Sequence, residues 1–403
     1  MKTLGIFMKD YKKLMDVLLQ LPACSLITTG RTGSDFLQSL FDSHEQVLTY
    51  NGDFLFHQFW KESLCVSSGK FDLNDLIAEF IGKHIETLKS KYDLFERKHE
   101  LGEEGDQSID IDLELFRVHI VGLISDREVN SKNILLAVNG AYALCLGQDL
   151  LNKKLFLHHN HHSSSLKSYL VDFPDSKIIC MTRDPRANFV SGITHWAKHD
   201  KDSDRGAHLY FYIERILLDA QFLNEFKNDS RVIKIEELGE KIVLEKLCDW
   251  LGVEYSETLE ESTWGGMLWK GDKLSTRKKE GRGFSANILK NNWNENILKN
   301  NWNEKLSFID KYIFNFITNK RLKYYGYQVR PIRKIDYFLV PILIFLPLRF
   351  ELRYFKLSYL LNNRTLFLSN LYYFVKRIGL FLKYYIREIK SHDYLSKKLR
   401  LNN

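Results

Sequence analysis

Short apolar runs alternate with longer segments of helical hydrophobic spacing over the first 240 residues of the chain. In the segment 206–227, for example, apolar side chains recur on one helical face. Strands that alternate with amphipathic helices are typical of a mainly parallel sheet covered by helices. The pattern predicts a mainly parallel α/β fold. The predicted strands lie at 24–29, 134–138, 154–159, 177–182 and 231–235.

The chain divides by pattern into a body, residues 1–330, and a tail, residues 331–403. Within the body, 61–130 is richer in charge and helical in spacing, which predicts a helical insertion near the site, since α/β proteins bind ligands beyond the carboxyl ends of their strands. The tail alternates aromatic with basic residues, and its longest apolar run, 337–348, is too short to span a bilayer. We expect the tail to be helical and to dock on a membrane surface. The alternative is a helical hairpin packed on the body or on another subunit.

Charge is distributed unevenly between the two parts. The formal net charge is +7, yet the tail alone holds 14 basic and 4 acidic residues, which leaves 44 basic and 47 acidic residues in the body. The positive excess therefore belongs to the tail, and we expect no nucleic-acid partner. The five cysteines form neither a disulfide framework nor a metal spacing, as in reduced cytoplasmic proteins. The amphipathic first helix lacks signal-peptide features. We expect a cytoplasmic protein, peripheral on the inner face of the membrane.

The first candidate site follows the first predicted strand, in the sequence LITTGRTGSDF at 26–36. A strand that ends in a glycine turn and feeds a helix presents free backbone N–H groups at the positive end of the helix dipole, which attracts an anion such as phosphate. A simple tight turn, with Ser34 or Asp35 as helix cap, is the alternative. The ATP-binding P-loop needs a lysine after its second glycine, and none follows Gly33. An ordinary ATPase or kinase is therefore disfavoured.

The second candidate site is KIICMTRDPRANFVSG at 177–192. The apolar strand ends at Arg183, and Asp184 and Pro185 are the residue types that begin a helix. Ser191 follows two turns later, so Arg183 and Ser191 can meet on one phosphate. A surface arginine beside a capped helix is the alternative, and it is less favoured when the same chain also carries the strand, glycine turn and helix of residues 26–36.

Together the two motifs resemble those of the sulfotransferases that use 3′-phosphoadenosine 5′-phosphosulfate (PAPS), which have a doubly wound fold related to nucleotide kinases. The resemblance covers roughly residues 22–330. It implies that Arg183 and Ser191 bind the 3′-phosphate. The run DSHEQV, 42–47, is similar to one found in carbohydrate and tyrosyl-protein members, although Glu45 stands where those often carry proline. The residues that the resemblance places around the 5′-phosphosulfate are Arg31, Thr32, Gly33, Ser34, Asp35 and Phe36.

A histidine cluster, LHHNHHSSS, comprises His158, His159, His161 and His162. Since alternate strand residues point to opposite faces, the four rings cannot converge without a turn. A zinc site and a polar loop are two interpretations. The resemblance implies a third, in which His159 is the catalytic base that takes the acceptor hydroxyl's proton. The resemblance to glycan-type members implies a carboxylate after the first helix as an alternative base, and Asp53 is the second candidate after His159.

The resemblance implies an enzyme that moves a sulfuryl group from PAPS to a hydroxyl of a cell-surface glycan or lipid-linked saccharide, with no metal. A cationic Arg31 suits leaving-group stabilisation, because such transfer is mostly positioning and charge stabilisation. The alternatives are a kinase-like phosphotransferase and a non-catalytic nucleotide-binding protein of the same fold. The basic glycine loop at 275–288 partly resembles the family's segment that closes over the donor, and a solvated loop is the alternative.

Overall fold

The computed structural model describes residues 2–28, 30–50, 52, 55–66, 72–92, 98–161, 163–199, 205–271, 302–355 and 357–390. Its strands are β1 Ala23–Thr28, β2 Val47–Leu48, β3 Leu155–Asn160, β4 Lys177–Thr182, β5 Ser230–Lys234, β6 Thr263–Trp264 and β7 Met267–Leu268. The helices of the first half are α1 Lys2–Gln20, α2 Ser34–Phe41, α3 Phe56–Val66, α4 Leu73–Lys83, α5 Ile85–Leu88, α6 Leu113–Ile124, α7 Ser131–Cys145, α8 Ser163–Asp172 and α9 Pro185–His199. Those of the second half are α10 Arg205–Leu218, α11 Lys241–Leu251, α12 Phe308–Ile317, α13 Asn319–Tyr324, α14 Asp336–Ile344, α15 Leu357–Asn362 and α16 Arg364–Lys390.

Five parallel strands form the main sheet, in the order β2-β3-β1-β4-β5. Strand β1 is central, with Leu26 opposite His159 of β3 and Ile27 opposite Cys180 of β4. The predicted mainly parallel α/β fold is therefore confirmed. Strands β6 and β7 form a separate antiparallel hairpin.

The predicted strand at 134–138 is wrong, because these residues lie in the middle of helix α7. Every residue of α7 from Asn133 to Ala143 is buried. A helix that is buried on all sides carries no polar stripe, so its apolar run cannot be told from a buried strand by periodicity. Asn130 caps the helix by accepting a hydrogen bond from the Asn133 N–H (2.9 Å). The pattern also missed β2, whose two residues are too short to form a run.

Alternation along the strands divides the core between the two faces of the sheet. Leu26 of β1 belongs to a cluster with helices α2 and α11, whereas its neighbour Ile27 belongs to a cluster with α1, α6, α7 and α8. Helices therefore cover both faces. Helices α4, α5 and α6 lie within 61–130 and join the second of these clusters, beside the sheet.

A third hydrophobic cluster joins the tail to the body. Helix α16 lies along α10, and Phe381 of α16 contacts Phe314 of α12 with ring centroids 5.8 Å apart. Buried Arg377 of α16 pairs with Glu351 (2.9 Å) and holds the chain that follows α14. The described part of the tail is thus packed on the body, the arrangement of the helical-hairpin alternative. Among the described helices, none combines the length and apolar character that crossing a bilayer requires.

Candidate functional site

The site lies at the carboxyl ends of β1 and β4, which are neighbours in the sheet. The strand that follows β1 along the chain, β2, lies on one side of this pair, and the strand that follows β4, β5, lies on the other. A position where successive connections diverge in this way leaves a crevice, and open α/β sheets bind ligands there. The strands of both sequence motifs, at 26–36 and 177–192, end at this crevice.

The loop after β1 has a backbone conformation suited to binding an anion. Gly30, Arg31 and Gly33 have φ angles of +93°, +54° and +88°. The Thr28 hydroxyl stabilises the turn, since it accepts a hydrogen bond from the Gly30 N–H (2.9 Å) and is hydrogen-bonded to the Thr32 hydroxyl (2.6 Å). The first ladder bond of α2 runs from the Leu37 N–H to the Gly33 carbonyl (3.0 Å). The amides of residues 34–36 therefore precede the ladder, at the positive end of the helix dipole.

Gly33 is required by two independent features. Its φ of +88° is one that side-chain-bearing residues rarely adopt, and a Cβ at this position would lie 2.3 Å from Cδ1 of Ile235, the residue that follows β5. The tight approach brings the end of β5 against the loop.

We expect Gly33→Ala to destabilise the protein through backbone strain and overpacking, each worth about 1–3 kcal/mol. Thermal unfolding of the purified variant measures the sum. Gly147→Ala is the matched control, because Gly147 also has a positive φ (+72°) but nothing within 4 Å of its Cβ position. Equal losses in the two variants would contradict the role given to the Ile235 contact.

Arg183 extends from the end of β4 across the loop. Its Nη1 donates to the backbone carbonyl of Arg31 (3.4 Å), which joins the two predicted phosphate-binding segments. Its Nε is buried and has no hydrogen-bond partner in the part of the chain that the structure describes. Beneath it, the guanidinium of Arg321 donates to the Arg183 carbonyl (3.3 Å) and pairs with buried Asp219 (3.1 Å). The backbone at Arg183 is thus fixed by a buried ion pair.

A carboxylate that the sequence analysis did not single out, Glu236, lies behind this turn. It accepts hydrogen bonds from the Asp184 N–H (3.2 Å) and the Tyr327 hydroxyl (2.9 Å). Burial raises the pKa of Glu236, and the nearby charge of Arg183 opposes that shift. Asp184 also accepts a bond from the Arg186 N–H (2.9 Å) at the start of α9, as predicted for a helix cap.

The ring of Tyr212 in α10 lies between the loop and α9. The hydrophobic pattern of 206–227 predicted only that this face of the helix is buried. Its hydroxyl donates to the Asn188 carbonyl (2.8 Å), and burial raises its pKa, while the charges of Arg31 and Arg183 act to lower it. The ring lies 3.7 Å from the Cβ position of Gly30 and leaves no room for a Cβ at Gly192. Half-buried Ser191 therefore stands next to the point where α9 meets this ring.

His159 lies at the end of β3, beside the first turn of α2. Its Nδ1 is 3.5 Å from Oδ1 of Asp35 and 3.3 Å from Oε1 of Gln38, and its side chain is 0% exposed. Because both neighbours of Nδ1 are oxygen acceptors, we assign the ring proton to Nδ1, which makes Nε2 the basic nitrogen. The structure thus brings together His159 and Asp35, a pairing that spacing alone did not indicate.

The other described histidines of the cluster do not converge with His159 on a common ion. His158 points to the opposite face of β3, where its ring stacks on Tyr169 (centroids 5.1 Å apart) and burial lowers its pKa well below the usual range. The His161 ring lies 5.7 Å from that of His159, and His162 is outside the described residues. Within the described ranges, no three His, Cys, Asp or Glu side chains are grouped to hold a metal ion.

The run at 42–47 has structural contacts at the other end of the sheet. Asp42 accepts a hydrogen bond from the Gly266 N–H (2.8 Å). The Ser43 hydroxyl is hydrogen-bonded to the Thr263 hydroxyl (2.7 Å), and the His44 ring is hydrogen-bonded to the Glu254 carbonyl (2.8 Å). A surface cavity of about 430 Å³ lies beside these contacts. Residues 42–46 precede β2, which pairs with the first residues of β3, so the cavity is separated from the loop after β1 by the length of the strands.

The remaining predicted residues have different outcomes. The Phe36 side chain is buried in the cluster with α11, so any contact of this residue with an anion at the loop would come from its backbone. Asp53 and the basic loop 275–288 lie outside the described residues. A scan against protein-family models found no match for this chain, and neither did a search of curated proteins.

Proposed function

We propose that the protein is a sulfotransferase of the P-loop-kinase-like fold, which moves a sulfuryl group from PAPS to a hydroxyl group. The observation that carries the proposal is the contact of Arg183 with the loop of Arg31. It sets two arginines, from the ends of neighbouring strands, beside the N-terminus of α2. A donor with phosphate groups at both its 5′ and 3′ positions needs two such anion-binding elements.

The loop after β1 and the segment that leads into α9 would bind different parts of the donor. Arg31, the backbone of residues 32–36 and the side chains of Thr32 and Ser34 would hold the 5′-phosphosulfate. Arg183 and Ser191 would hold the 3′-phosphate. The buried Nε of Arg183 supports this fit, since a buried cationic donor is stabilised when an anion accepts its hydrogen bond. The donor supplies the sulfuryl group and leaves as 3′,5′-adenosine bisphosphate.

His159 would act as the base in this reaction. The acceptor oxygen forms a bond to sulfur as the bond between sulfur and the phosphate oxygen breaks, and the hydroxyl proton passes to Nε2 of His159. The Nδ1–H is held toward Asp35, whose carboxylate stabilises the imidazolium. Arg31 stabilises the negative charge that develops on the departing phosphate oxygen.

The acceptor that we propose is a hydroxyl of a glycan or lipid-linked saccharide, on the basis of the resemblance at 42–47. Phosphotransfer from ATP is the competing reaction. It is disfavoured because no lysine follows Gly33 to reach the outer phosphates.

Isothermal calorimetry tests the donor. We expect 3′,5′-adenosine bisphosphate to bind about 10–150 times more tightly than 5′-AMP, the ratio that corresponds to one charge-assisted contact worth about 1.5–3 kcal/mol. Arg183→Ala should remove this difference and leave the affinity for 5′-AMP nearly unchanged. Arg231→Ala, which removes an arginine paired with Asp229 at the start of β5, is the matched control. Equal affinities in the wild type, or a preference for ATP with Mg²⁺, would contradict the proposal.

A further inference from the structure

Helix α14 in the tail carries an apolar stripe on its outward face. Apolar residues recur at intervals of three and four from the residue before the helix to the second residue after it, which is the spacing of a single helical face. Their exposed fractions are high for such side chains, 72% for Phe338 and 65% for Ile342. The stripe consists of Ile335, Phe338, Leu339, Ile342, Phe345 and Leu346.

The opposite face of α14 fixes the helix to the body. Val340 and Ile344 are fully buried in the third cluster, and Tyr385 of α16 donates a hydrogen bond to the Tyr337 carbonyl (2.7 Å). Arg377 binds the carbonyl of Leu346 (3.0 Å) just beyond the helix. The stripe is therefore presented by a helix that is already held in place, rather than by a helix that must fold on its partner.

The carboxylates of the described tail are all withdrawn from its surface. The three carboxylates between 331 and 390, Asp336, Glu351 and Glu388, are all buried. The first two are paired with Arg330 (3.0 Å) and Arg377 (2.9 Å), and Glu388 accepts a bond from the Lys320 N–H (2.9 Å).

Exposed cations stand at both ends of the stripe. Arg333 and Lys334 precede α14, and Arg349 follows its last turn. Arg333 pairs with buried Asp336 (3.7 Å), and the guanidinium of Arg349 donates to the Glu304 carbonyl (3.3 Å), while the described tail adds no exposed carboxylate of its own. The face is consequently apolar along its length and cationic at its ends.

We propose that this face docks on the surface of an anionic phospholipid membrane. Apolar side chains flanked by basic residues match the boundary between acyl chains and anionic headgroups. A second copy of the chain fits less well. A two-fold pairing of the same face in antiparallel register would bring Arg349 of one copy toward Arg333 and Lys334 of the other, with no exposed carboxylate on the stripe to compensate. The inference rests on the tail alone and does not depend on sulfuryl transfer.

Vesicle cosedimentation with the full chain tests the proposal. The wild type should sediment with vesicles that contain phosphatidylglycerol, bind phosphatidylcholine vesicles weakly, and lose binding as salt rises. The double variant Phe338→Asp, Ile342→Asp should lower the vesicle partition coefficient about tenfold or more. Lys334→Glu should weaken binding to the anionic vesicles only. Val171→Asp is the matched control, since Val171 of α8 is 81% exposed but far from the tail in sequence and belongs to none of its helices, and it should bind as the wild type does.

Two results would overturn the proposal. One is a wild-type protein that stays in the supernatant with anionic vesicles at low salt. The other is light scattering that finds a dimer which the double variant, with an unchanged melting temperature, converts to a monomer, since the face would then belong to a second copy.

Discussion

His159→Ala is expected to lower the rate of sulfuryl transfer by about 10²–10⁴, the usual contribution of a general base. The affinity for 3′,5′-adenosine bisphosphate should stay nearly unchanged, because the proposed phosphate contacts come from the loop, α2 and Arg183. The Nδ1 of His159 faces Asp35 and Gln38, so in the proposed mechanism Nε2 receives the proton. Single-turnover transfer from labelled PAPS to a glycan acceptor, with calorimetry on the same preparations, measures both quantities.

His159→Gln distinguishes a base from a residue that only positions Asp35. A glutamine amide can still donate to Asp35 but cannot take up a proton, so both substitutions should be equally slow if His159 is the base. If His159→Gln restores transfer, the ring acts only by holding Asp35, as its complete burial permits. His158→Phe is the neighbouring control, because it keeps a ring against Tyr169 on the opposite face of β3 and should transfer at the wild-type rate. Loss of transfer in Asp53→Asn, with His159→Ala unaffected, would move the base to the carboxylate.

Local signals were sufficient for the strands that carry the site. Gly30 and Gly33 indicated the turn after β1, and Asp184 with Pro185 indicated the start of α9; both features are determined within a few residues. The same reasoning failed for α7, where burial on all sides removed the polar positions that report a helical period. The period of the hydrophobic pattern reports which face of an element is exposed to solvent, so it carries no information about a segment that is buried on every face.

The supporting residues of the site could not be predicted, since their contacts span large separations along the chain. Arg321 holds the carbonyl of Arg183 across 138 residues, and Tyr327 bonds Glu236 across 91. Each looks like an ordinary helix or strand-end residue in the sequence. The histidine at the end of β3 was identified by resemblance, but its pairing with Asp35 depends on the register of β3 against β1, with His159 opposite Leu26.

The tail shows how composition and packing answer different questions. Its aromatic and basic pattern indicated an amphipathic surface segment, and the structure shows that the same helices also bury one face against α9, α10 and α12. Helices α14 and α16 have residues on each side: Val340 and Phe381 are fully buried, while Phe338 and Leu368 are 72% and 61% exposed. Docking of the exposed side on a membrane stays a prediction. Composition alone could not say which aromatic residues belong to which face.

Arg31→Ala is expected to lower the single-turnover rate by about 10²–10³, the cost of removing one charge-stabilising donor from a transition state. The affinity for 3′,5′-adenosine bisphosphate should fall by less than about tenfold, because the amides at the start of α2, which we propose bind the phosphate, are retained in the variant. The link to Arg183 is also retained, since Arg183 binds the backbone carbonyl of residue 31 and not its side chain. Arg183→Ala should show the reverse pattern, in which affinity falls more than the rate.

The backbone at position 31 determines which second variant makes this result interpretable. Arg31 has a φ of +54°, a left-handed conformation that alanine adopts with strain and asparagine tolerates. Arg31→Asn therefore removes the charge while preserving the turn, and it should be as slow as Arg31→Ala if the lost charge is the cause. A rate near that of the wild type for Arg31→Asn would mean that the alanine effect came from a distorted loop. Equal losses of rate and affinity in both variants would show that Arg31 binds the donor before and during transfer with the same strength, and its role as a stabiliser of the departing phosphate would be wrong.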